Sequence, residues 1–234
     1  MNVQNIIITL LSAFFITVKT EGAEKMKELP ICGKLINLNE SKVLFEDDFS
    51  DPAKNRNWIK TGSISHEIKN GSMELKWETG TKLKHGQIFS DKIFPSDIVM
   101  EFDAELIFPS DHDIIWWWNA QMKEDSSDWV EGSLGALGGW FSNCAGIEKI
   151  SSKASSMTVM TPLFKVEGGR KYRIHSGSIN NTYFLFVDGM LIIEFQNKKN
   201  ENGGRIGFGV YQSQFKISNL TVYKPKSHNV RLSY

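Results

Sequence analysis

The chain of 234 residues has no excess of charge of either sign: Lys plus Arg and Asp plus Glu each total 27. Zero net charge removes the electrostatic footprint that nucleic-acid binding requires and gives no general attraction to anionic membranes. A charged ligand must therefore be read by a local cluster. Cysteine is scarce, with only Cys32 and Cys144, which allows either one disulfide closing a long loop or two unpaired thiols. A zinc-type Cys/His pair, a Gly-x-Ser-x-Gly nucleophile elbow and a phosphate loop are all absent, which disfavours zinc hydrolysis, acyl transfer and nucleotide chemistry.

The one long apolar run, Ile6 to Val18, is followed by small residues around Thr20, Gly22 and Ala23. It reads as a secretory signal peptide over residues 1–23, shorter than a membrane span needs. Because no Lys or Arg precedes Lys19, an uncleaved anchor is the alternative. The expected location is outside the cytoplasm, periplasmic or extracellular. The expected mature chain begins near Glu24, without integral membrane association after cleavage. Residues 24–42 then form an N-terminal extension and 225–234 a tail.

What fills residues 43–224 is alternation. Met100, Phe102, Ala104 and Leu106 alternate with Glu101, Asp103 and Glu105, the period-two pattern of a half-buried strand. Similar segments are joined by Asn70-Gly71, Asn180-Asn181 and Asp188-Gly189, pairs that tolerate the positive φ of tight hairpins. Helical periodicity is nearly missing, so the expected class is all-β, two antiparallel sheets packed as a sandwich or jelly roll. Met100, Phe102, Leu106, Phe184, Phe186, Ile206 and Phe208 are expected between the sheets. Residues 123–162, rich in Gly and Ser, break the alternation and read as a long functional connection.

Ile114 to Gln121 contains three consecutive indoles, Trp116, Trp117 and Trp118. Strict alternation places Trp117 with Ile115, Asn119 and Gln121, an apolar platform ringed by amides that suits the face of a sugar. The alternative is that all three indoles are core. Trp129 and Trp140, from the glycine-rich connection, would close over such a platform.

Leu44 to Ser50 followed by Trp58, the Phe94-Pro95-Ser96-Asp97 lead into Val99 to Asp103, and Tyr183 to Gly189 before Gly204 to Phe208 resemble the concanavalin A-like jelly-roll superfamily. The nearest resemblance is to the YesU-like proteins, a bacterial family of unknown biochemical activity often met beside polysaccharide-degradation genes. It implies a concave sheet facing a glycan, with an oligo- or polysaccharide as partner.

Two catalytic readings stand beside simple binding. For a lyase, His85 is the candidate base, since imidazole titrates near neutral pH. Lys84 would hold an acidic sugar, and Tyr211 and Arg205 would complete the site. The competing reading is an ordinary surface histidine. For a glycoside hydrolase, Glu101, Asp103 and Glu105 share one strand face with the Glu-x-Asp-x-Glu spacing of laminarinase-like hydrolases. In those enzymes, however, the carboxylate strand follows a Trp-rich strand, whereas here it precedes one, and a charged structural face is the alternative. No cofactor is required. Asp47 and Asp48 are candidate ligands for a structural calcium.

Overall fold

The computed structural model describes residues 27–80, 82, 84–110, 112–122, 130–139, 144–151, 154–162, 164–197 and 202–229. The signal-peptide reading, Trp129 and Trp140 lie outside the described residues. In chain order the first strands are β1 (Glu28–Ile31), β2 (Lys34–Asn37), β3 (Lys42–Asp47), β4 (Trp58–Gly62), β5 (Ile64–Lys69) and β6 (Ser72–Trp77). Next come β7 (His85–Ser90), β8 (Ile98–Leu106), β9 (Ile114–Met122), β10 (Val130–Gly139), β11 (Cys144–Ser151) and β12 (Ala154–Thr161). The last are β13 (Lys171–Ile179), β14 (Thr182–Val187), β15 (Met190–Gln196), β16 (Arg205–Tyr211), β17 (Gln214–Lys224) and β18 (Ser227–Asn229). The only helical element among the described residues is a short 3₁₀ turn, Pro52–Asn57, capped by Asp51.

Two antiparallel sheets form the sandwich. One has seven strands in the order β12-β11-β10-β9-β16-β7-β4; the other has eight, β15-β14-β13-β8-β17-β6-β5 with β3 beside β17. The expected hairpins close through positive φ at Asn70 and Gly71, Asn180 and Asn181, and Asp188 and Gly189, the backbone that a two-residue turn between twisted strands demands. Between the sheets, Phe102 meets Trp116 and Phe208 edge-on at centroid distances of 5.7 and 5.3 Å. Met100, Leu106 and Ile206 share this core.

Phe184 and Phe186 do not. They lie on the outer face of the eight-stranded sheet, packed with Val99 and Tyr223 against Leu29, Ile31, Ile36 and Leu38. A third small sheet, β1-β2-β18, supplies that cover from both ends of the chain. Every residue of β14 is buried, so its alternation carries no information about which side faces the sandwich interior.

The glycine-rich connection is also different from its expectation. It folds into β10, β11 and β12, paired antiparallel with one register shift in each pairing. Glycine is needed there for proximity: a Cβ on Gly135 would overlap the indole of Trp116, its cross-strand partner. Cys32 is exposed and Cys144 buried, both free, which removes the disulfide alternative.

Candidate functional site

On β16, Ile206, Phe208 and Val210 enter the core, so alternation turns Arg205, Gly207, Gly209 and Tyr211 to the outer face of the seven-stranded sheet. The flanking strands set the neighbours. Tyr211 pairs with His85 and Gly207 with Phe89 on β7, while Gly207 pairs with Trp117 and Arg205 with Ala120 on β9. The two glycines let side chains from both sides lie over β16. A Cβ on Gly207 would overlap the Phe89 ring, and one on Gly209 would sit 3.3 Å from both Trp117 Nε1 and Ile115 Cγ2.

Trp117 is consequently not an open platform. It is 3% exposed, in edge contact with Phe89 at 6.1 Å and clustered with Ala120, Leu134 and Ala136. Trp116 and Trp118 belong to the main core.

Asn119 departs from the alternation. It adopts a left-handed φ of 53° where the pairing of β9 with both neighbours shifts register. This bulge returns Ala120 to the side of Trp117 and turns the Asn119 amide across the sandwich, where it donates to Ser178 Oγ at 3.2 Å and to the Ser96 carbonyl at 3.4 Å. Asn119 therefore does not ring Trp117. One extra residue in a strand reverses the facing of all that follow, which is why strict alternation failed here. Gln121 is exposed and its amide donates to the Gly203 carbonyl.

Beyond the bulge a depression of about 380 Å³ opens, lined by Ile59, Ile93, Ala120, Gln121, Met122, Gly204 and Arg205. Arg205 is half-buried, and its Nη1 donates to the Ser90 carbonyl at 2.8 Å. At the opposite end of β16, Tyr211 is 41% exposed, with the His112 ring edge-on at 6.4 Å. Lys84 is exposed there, its carbonyl accepting from the Gln212 N–H at 3.0 Å.

The candidate catalytic residues thus divide. His85 and Tyr211 are neighbours, but Arg205 lies six residues from Tyr211, about 20 Å along the strand. His85 and Trp117 share a face, four residues and two strand spacings apart, roughly 16 Å.

One residue near Tyr211 was invisible in the sequence. Asp113 precedes β9, and its Oδ1 is buried. Burial pushes its pKa up to about 7, against smaller downward pulls from its own N–H, the Ser213 hydroxyl and the Tyr211 N–H. No local signal marks it, because Tyr211 and Ser213 arrive from a distant strand end.

The three aligned carboxylates occupy the outer face of the other sheet. Each faces a base on β13: Glu101 opposite His175, Asp103 opposite Arg173, Glu105 opposite Lys171. Arg173 reaches Asp103 at 3.1 Å and Glu101 at 3.5 Å, and Lys216 reaches Glu105 at 3.1 Å. This charge ladder holds the register of β8 and β13. Asp47 and Asp48 serve their own turn, accepting from the N–H groups of Phe49 and Ser50. Among the described residues, no three His, Cys, Asp or Glu side chains gather as a metal site.

No protein-family model matches the chain, and no curated protein matches it in sequence. Solved structures do resemble it. A Bacillus subtilis protein of unknown function with a galectin-like fold aligns with a TM-score of 0.65 at 12% identity, over 79% of this chain and 98% of its own. The carbohydrate-binding module CBM66 from Bacillus subtilis aligns at 0.57 and 14% identity, over 71% and 95%. Bacillus licheniformis β-glucanase aligns at 0.57 and 11%, over 78% and 98%. The fold is a galectin-like jelly roll. At these identities the likeness establishes architecture alone.

Proposed function

We propose that this protein is an exported glycan-binding protein that holds an oligosaccharide along β16, on the outer face of the seven-stranded sheet. The observation that carries the reading is the depression at Arg205, where a guanidinium and an amide are set among Ile59, Ile93 and Met122. Sugars present apolar C–H faces beside hydroxyls, and such a mixed wall meets both. The strand continues from there to exposed Tyr211 and half-buried His85, leaving about 20 Å of surface for further sugar units. Kinship with the YesU-like proteins and export through the N-terminal apolar run are parts of the same proposal. Among the described residues, no helix is long and apolar enough to cross a membrane.

Isothermal titration against pectic, algal and host oligosaccharides tests it. Saturable binding that Arg205→Ala and Tyr211→Ala both weaken is expected; unchanged binding in both variants overturns the placement. Cleavage is a second reading, favoured by the pairing of His85 with exposed Tyr211 and by the Asp113 carboxyl, pushed up to about 7 by burial, at the Tyr211 N–H. New reducing ends or unsaturated uronate absorbance during incubation would establish it, and loss of either signal in His85→Ala would locate it.

A further inference from the structure

We infer that the Arg205 depression takes an oxyanion carried on the sugar, a uronate carboxylate or a sulfate ester. This deepens the glycan reading above and rests on it. Of the three arginines whose side chains are described, Arg170 pairs with Asp188 at 2.9 Å and Arg173 with Asp103 at 3.1 Å. Among the described residues, Arg205 alone has no carboxylate partner, and neither Asp nor Glu lines its depression. A half-buried cation without a counter-ion bears a desolvation cost that an arriving anion relieves.

The guanidinium is also held in place. Its Nη1 is anchored on the Ser90 carbonyl, which leaves the N–H groups of Nε and Nη2 for a planar or tetrahedral oxyanion in the paired geometry that arginine favours. Gln121 spends its NH₂ on Gly203, so its Oε1 remains as an acceptor for a sugar hydroxyl. Ile59, Ile93, Ala120 and Met122 complete the wall, and an apolar wall strengthens a charge–charge contact. With a net charge of zero over the chain, recognition of an acidic glycan has to come from such a local cation.

The test uses the full chain and four probes: an oligogalacturonate, the same oligomer after carboxyl reduction, a sulfated galacto-oligosaccharide and its unsulfated counterpart. Titration calorimetry is expected to show one acidic probe bound about tenfold or more tighter than its neutral twin. That preference should shrink as salt is added. Arg205→Gln should erase the preference and Arg205→Lys retain part of it, with circular dichroism confirming that both variants fold. Whichever acidic probe is preferred distinguishes carboxylate from sulfate. Equal binding of acidic and neutral twins overturns the inference while glycan binding stands. A preference that survives Arg205→Gln overturns it as well. Binding of none of the four overturns both readings.

Discussion

Tyr223 Oη donates a 2.6 Å hydrogen bond to Glu101 Oε2, joining β17 to β8 beneath the small N-terminal sheet. Glu101 is 1% exposed, with Arg173 and His175 at 3.5 and 3.7 Å. Burial pushes the carboxyl up, but the close approach of His175, the hydrogen bond from Tyr223 and the Arg173 charge outweigh it and hold the pKa at about 2. A folded pKa below the ordinary 4.5 gives stability that is complete above about pH 4.5 and lost as pH falls towards 2. The linkage amounts to about 3 kcal/mol. Denaturant titrations across that window should show the loss, and Glu101→Gln should flatten it. Tyr223→Phe is expected to cost about 1.5–3 kcal/mol near neutral pH.

Asp113 carries the opposite sign. Its folded pKa, about 7, lies above the ordinary 3.8, so the folded state holds the proton more tightly and stability declines as pH rises through that interval. Asp113→Asn should raise the melting temperature above pH 7 and change it little near pH 4. Equal destabilisation at both pH values would show that the carboxylate is needed where it stands.

The contact of Gly135 with Trp116 predicts a non-additive pair. Gly135→Ala should destabilise by about 1–3 kcal/mol through overlap with the indole, and Trp116→Ala by about 3–5 kcal/mol. The double variant should cost less than the sum, because the truncated Trp leaves room for the new methyl. Chemical denaturation of the four proteins measures the coupling.

At Asn119 the backbone and the side chain separate. Asn119→Gly keeps the left-handed φ of 53° and loses the bonds to Ser178 and Ser96, whereas Asn119→Ala also strains the backbone. Alanine is expected to cost about 1 kcal/mol more than glycine. Because both variants lose the same two hydrogen bonds, a reversed order would show that the left-handed backbone is not what costs stability at this position.

Trp117 and Tyr211 should also part company. Trp117→Ala removes a buried ring and is expected to lower stability by about 3–5 kcal/mol. Tyr211→Ala exposes little new surface and should leave stability nearly intact while weakening oligosaccharide binding by about 1–3 kcal/mol through lost apolar contact. Thermal melts and titrations on the same preparations separate the two effects.

Features that depend on neighbours in the chain were legible in the sequence. Met100 and Phe102 point inward because a strand alternates, and Asn70-Gly71 turns because its residues accept positive φ. Together they specified an all-β sandwich. Only the tertiary structure decided the rest. The bulge at Asn119 inverted the facing of the residues after it, and its amide found a partner on the opposite sheet. Phe184 and Phe186 went outward because β1, β2 and β18 cover them. Asp113 shifted because the folded chain buries it, against the opposite pull of Ser213 and Tyr211 from a distant strand end. In each case the deciding contact spans strands remote in sequence, and a local pattern holds no record of which distant strand will lie beside it.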